Sequence, residues 1–77
     1  MIKATIKSNF LNEEKIYPSD ITVADVLSDN NLTVYGNAMT TANGIIITED
    51  NAEMPISEFA AHDEITIMSI VKGDGNR

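Results

Sequence analysis

Near the C-terminal end, Ile65-Thr66-Ile67-Met68-Ser69-Ile70-Val71 begins as an alternating run and becomes apolar on both faces in its second half. A strand with one wet face alternates throughout, so this run belongs in the middle of a sheet, covered at least partly on both sides. Such a strand needs a neighbour along each edge and a layer over one face. The chain has 77 residues from which to build them, enough for one domain and one core. It contains no cysteine, so that core must close on packing without disulfide support.

The first neighbour is legible at the N-terminus. Ile2, Ala4, Ile6, Ser8 and Phe10 alternate with Lys3, Thr5, Lys7 and Asn9, the period of a strand with one buried face. After Leu11-Asn12, Glu13 to Tyr17 returns as the second arm of a hairpin. Pro18 stops it, because proline has no amide hydrogen for the ladder. A helix follows at Ile21-Thr22-Val23-Ala24-Asp25-Val26-Leu27. Thr22 is placed to cap it, Asp25 to answer three residues later as in a capping box, and Ile21 to staple to Val26. Val23, Val26, Leu27 and Asn30 share one stripe. Asn30-Asn31 tolerates a left-handed terminus, which puts the helix end near Asn30.

Beyond the helix, Leu32 to Tyr35 is read as a short extended piece turned by Gly36-Asn37. Ala38 to Ala42 and Ile45 to Thr48 flank Asn43-Gly44, a dipeptide suited to tight hairpins because both central residues take positive φ. Glu49 to Met54 is read as a loop. Pro55 opens a single helical turn through Phe59, which would carry Ile56 and Phe59 into the core. Residues 1–72 then form the domain. The polar, glycine-containing stretch Gly73-Asp74-Gly75-Asn76-Arg77 reads as a flexible tail.

Twelve acidic and five basic residues give a formal net charge of −7, which argues against a non-specific grip on nucleic-acid phosphates. No Lys or Arg lies between Lys15 and Lys72, so all the positive charge sits towards the two ends of the chain. No apolar run approaches a membrane span and Met1 to Thr5 lacks the apolar stretch of a signal peptide, so the expectation is a cytoplasmic protein with no membrane partner.

The order of hairpin, capped helix, strands, short turn and long final strand resembles the ubiquitin-like β-grasp family, which includes the sulfur carriers of thiamine and molybdopterin synthesis. Two segments carry most of the likeness: Ile21 to Leu27, similar to the carriers' helix start, and His62-Asp63-Glu64-Ile65-Thr66-Ile67, similar to their turn into the last strand. The ending Ser69 to Gly75 also resembles small bacterial ubiquitin-like proteins that have no settled activity. The resemblance implies an α+β fold, a mixed sheet of four to five strands with one helix packed on one face. In the carriers a terminal Gly-Gly is adenylated and becomes a thiocarboxylate, which would assign Gly73 and Gly75 to C-terminal activation. Here Asp74 separates those glycines and Asn76-Arg77 follows, adding bulk and charge where an activating enzyme threads bare glycine.

No residue pattern for chemistry emerges. His62 is the only histidine, so a zinc site would rest largely on carboxylates, and the residue is better read as part of a surface turn. Glu49-Asp50-Asn51-Ala52-Glu53 lacks the alternation and central glycine of a calcium loop. Gly73-Asp74-Gly75 has no strand-to-helix phosphate loop around it, and no serine has the context of a nucleophile. The chain is therefore expected to have no catalytic residue, metal or cofactor.

A surface remains. With Ile65 and Ile67 facing the helix, Thr66, Met68 and Ile70 face away, beside Lys3, Thr5 and Lys7 of the first strand, to give an apolar face with a basic border. The functional expectation is a non-catalytic interaction module, an adaptor or accessory protein, monomeric or weakly dimeric, that docks a protein partner through this face or by its exposed strand edges. The rival readings are a carrier or modifier activated at its C-terminus, and an acidic mimic that occupies a nucleic-acid-binding protein.

Overall fold

In a computed structural model of the chain, residues 1–9, 11–32 and 38–71 are described. Among these described residues, five strands and one helix follow in the order β1 (Ile2–Ser8), β2 (Asn12–Tyr17), α1 (Val23–Asp29), β3 (Ala38–Ala42), β4 (Ile45–Ile46) and β5 (Glu64–Val71). Single 3-10 turns at Asn51–Glu53 and Ile56–Glu58 lie between β4 and β5. The sheet order is β2-β1-β5-β3-β4, which makes β5 the middle strand. β5 runs parallel to β1 and antiparallel to β3, so the sheet is mixed and the architecture is the expected β-grasp type of α+β fold.

The helix follows its local signals. Thr22 is extended, with φ −85° and ψ 161°, and its Oγ1 accepts the Asp25 amide at 3.1 Å, satisfying one of the orphan donors of the first turn. At the other end, Asn31 takes φ 60° and the Leu32 amide closes back on the Leu27 carbonyl at 2.8 Å. Val23, Val26 and Leu27 form the buried stripe, whereas Asn30 caps the helix rather than extending that stripe.

These three side chains meet the inward residues of the central strands: Ile2, Ala4 and Ile6 of β1, and Ile65 and Ile67 of β5. Their spacing of two in each strand reproduces the alternation read from the sequence. Ile56 and Phe59 are buried, as anticipated for the turn after Pro55. That turn is stitched to the start of the helix: the Ile56 amide donates to the Ile21 carbonyl at 2.8 Å, and the Val23 amide to that of Met54 at 3.2 Å. Burying one such large aliphatic side chain contributes roughly 1.5–3 kcal/mol, so a domain this small depends on each of them.

Three expectations need correction or lie out of reach. β4 covers two residues rather than running to Thr48. The Asn51 side chain takes over there: its Nδ2 donates to the Ile46 carbonyl at 3.0 Å and its Oδ1 accepts the Thr48 amide at 2.7 Å. The Ile47 amide still reaches the Thr40 carbonyl at 2.8 Å, and the chain then turns away. The segment 49–54, expected to be a loop, contains the 3-10 turn Asn51–Glu53, which buries Ala52. The extended piece expected from Leu32 to Tyr35 falls almost wholly outside the described residues, as do Phe10 and the tail, and Leu32 is not in a strand.

Candidate interaction face

The register of the sheet decides which side chains share its open face. In the parallel pair, Lys3, Thr5 and Lys7 of β1 stand opposite Glu64, Thr66 and Met68 of β5. Paired residues point to the same side, and Ala4 and Ile6 are buried against the helix, so Lys3, Thr5, Lys7, Thr66, Met68 and Ile70 lie together on the side away from it. Lys3 and Lys7 are exposed, Thr5 and Thr66 half-buried.

The antiparallel half of the sheet enlarges this face beyond what the sequence reading included. Ile70 stands opposite Met39, Met68 opposite Thr41, and Thr41 opposite Ile46. Thr41 is thus ringed by four apolar side chains. Met39, Ile46, Met68 and Ile70 are 47, 60, 39 and 39% exposed, too much solvent contact for core residues and a contiguous group rather than scattered ones. On the other half of the face, Ile16 of β2 is exposed opposite Lys3, and Glu14 stands opposite Thr5. The charges placed on the face by register are Lys3, Lys7, Glu14 and Glu64, two of each sign, in a chain whose net charge is −7. The acidic excess is therefore carried elsewhere, and among the described residues Lys3 and Lys7 form no ion pair.

The opposite, helix-bearing side is closed by polar links. Tyr17 Oη donates to Asp29 Oδ2 at 2.7 Å and accepts from Asn30 Nδ2 at 3.1 Å, while the same Asn30 amide reaches the Val26 carbonyl at 2.7 Å. Burial, and then the bond to the Asp29 carboxylate, push the Tyr17 phenol above its ordinary pKa. The Asp29 carboxyl is held below its usual value, first by that hydrogen bond and then by Lys15, whose Nζ is 3.6 Å away. These groups pin β2 to the helix end, and every polar atom named in them has a structural partner. At the centre of the core side, the buried Thr40 and Ser69 stand opposite each other, with Thr40 Oγ1 3.3 Å from Ser69 Oγ.

His62 is exposed in the two-residue turn before β5, with φ 55°, beside Asp63 at 62°. Among the described residues no group of three or more His, Cys, Asp or Glu side chains converges as a metal site, and no helix is long and apolar enough to cross a membrane. Gly73 and Gly75, the candidates for C-terminal activation, lie outside the described residues. No protein-family model, curated protein or solved structure matches the chain.

Proposed function

We propose that the protein is a non-catalytic interaction module that docks a folded protein partner on the open face of its sheet. The observation that carries this reading is the contiguous group Met39, Ile46, Met68 and Ile70 around Thr41, exposed on the face that the helix does not cover. Methionine adapts to differently shaped contacts, and exposed apolar groups rimmed by polar residues mark association surfaces.

The charge pattern defines the partner's chemistry. The surplus negative charge of this chain repels another acidic surface in general, but the sheet face is balanced and offers Lys3 and Lys7 beside its apolar half. The complementary surface has apolar side chains at its centre and, along β1, carboxylates set against Lys3 and Lys7 and basic groups set against Glu14 and Glu64. Desolvation of the methionine and isoleucine side chains supplies the affinity, and the two lysines fix orientation.

The test places a photo-crosslinking residue at Thr41, identifies the captured protein by mass spectrometry, and titrates the purified pair. Met68→Asp should weaken the complex by at least about tenfold, as for a central contact, and leave the unfolding midpoint close to that of the unaltered chain. Paired Lys3→Glu and Lys7→Glu changes should weaken it further in low salt than in high salt. Binding indifferent to Met68→Asp but lost on Glu58→Lys, on another surface, would reject the face. A self-crosslink through Thr41 with dimer formation would replace the outside partner with a second copy.

A further inference from the structure

Asn43-Gly44 is the single Asn-Gly step in the chain, and the structure holds it in an arrangement with chemical consequences. An asparagine side chain followed by glycine is prone to cyclise. The glycine amide nitrogen, with no Cβ to hinder its approach, attacks the asparagine Cγ. That N–Cγ bond forms as the side-chain nitrogen leaves as ammonia and the attacking amide gives up its proton to solvent. Water then opens the succinimide at one carbonyl or the other, to leave aspartate or isoaspartate, so the balance is amide plus water giving acid plus ammonia.

Both turn residues have positive φ, 49° at Asn43 and 86° at Gly44, and nothing lies within 4 Å of the position a Gly44 Cβ would occupy. Solvent therefore reaches the step freely, and steric burial does not protect it. Hydrogen bonding does. Asn43 Nδ2 donates to the Phe59 carbonyl at 2.8 Å and to that of Glu64 at 3.3 Å, and Oδ1 accepts the Thr66 amide at 2.8 Å. The Asn43 backbone amide donates in turn to the Thr66 carbonyl at 2.9 Å. The side-chain amide is thus held against the start of β5, and its Cγ cannot swing to the Gly44 nitrogen until these side-chain bonds break together.

The geometry points to Asn43 as a latent self-modification site, shielded by the folded hairpin and released by unfolding, whose conversion prevents return to the native fold. The product is incompatible with its own setting. Aspartate sets a carboxylate oxygen where Nδ2 faced two carbonyl oxygens, replacing two donor contacts with repulsion. Isoaspartate adds a methylene to the backbone of a two-residue turn whose length sets the β3–β4 register. Either product loosens the brace that ties this hairpin to β5 and to the Phe59 turn. An unfolded chain thereby acquires a finite lifetime in which it can still refold.

The experiment incubates the whole protein at mildly alkaline pH, folded in buffer and unfolded in urea, and follows Asn43 by peptide mass spectrometry while aliquots are refolded by dilution. Conversion should run at least about tenfold slower in the folded protein, because attack waits on local opening. In the urea arm the refoldable fraction should fall in step with conversion, whereas an Asn43→Ser chain should retain its own initial refoldability over the same period. Equal conversion rates in the two arms would overturn the shielding. Converted protein that refolds with an unchanged midpoint would overturn the consequence.

Discussion

The Tyr17 hydroxyl donates to the Asp29 carboxylate at 2.7 Å, tying the last residue of β2 to the last residue of α1. The bond favours the protonated phenol and the ionised carboxyl together, so it shapes stability at both ends of the pH scale. The folded pKa of Asp29 is lowered: its contribution is complete above the unfolded carboxyl value and fades as pH falls through the lower folded value. The folded pKa of Tyr17 is raised, so its contribution is complete below the ordinary phenol value and is lost as pH rises through the higher folded one. Tyr17→Phe should lower the midpoint near neutrality, flatten the alkaline decline and raise the Asp29 pKa in a carboxyl NMR titration. An unmoved Asp29 titration would mean that Lys15 alone holds it down.

Thr22→Ala should cost about 1 kcal/mol, because the Asp25 amide loses the oxygen that caps it at 3.1 Å. The helix has seven residues, too few to compensate internally. Denaturant titration reads the effect as a shifted midpoint at unchanged slope. Thr22→Ser, which keeps the oxygen, should recover most of the loss.

What the sequence disclosed was what neighbours decide. The alternation of Ile2, Ala4 and Ile6, the Thr22 cap and the buried Ile56-Phe59 turn each follow from residues within one or two turns of chain. The lysine and threonine positions on the open face followed as well, because two long strands with clear periods leave little freedom in facing. Met39 and Ile46 escaped, since their membership of that face depends on β3 pairing with β5 across about thirty intervening residues, a register no local pattern states. The same holds for the bond from Tyr17 to Asp29 and for the Asn43 brace on Phe59, Glu64 and Thr66. In these, one polar side chain meets groups distant in sequence. The shortening of β4 rests on Asn51, whose side chain imitates a strand partner in a stretch that reads as an ordinary acidic loop.

Thr40 and Ser69 form a buried polar pair between β3 and β5, each 2% exposed. Removing one hydroxyl leaves the other without this partner in an apolar setting, a cost of roughly 1–3 kcal/mol, whereas removing both takes the polarity away together. Thr40→Val and Ser69→Ala should therefore each destabilise, and the double variant should be closer to the parent than the sum of the singles. Additive losses in that double-mutant cycle would show that the two hydroxyls are satisfied independently.

Ile67 and Met68 are adjacent in β5 and face opposite sides of the sheet, the first fully buried under the helix and the second 39% exposed beside Thr41. An aspartate at each position meets a different medium. At Ile67 it places an unpaired carboxylate among Ile6, Ile65 and Leu27, where the charge lacks both water and a partner, and folding should be lost under ordinary conditions. At Met68 the carboxylate remains hydrated and has Lys7 opposite it on β1, so the unfolding free energy should fall by no more than about 0.5 kcal/mol, the usual range for a surface change. Circular dichroism with denaturant titration of the two variants compares the outcomes directly. If Met68→Asp unfolded the domain while Ile67→Asp left it intact, β5 would be turned by one residue, and the apolar group proposed to receive a partner would be the core instead.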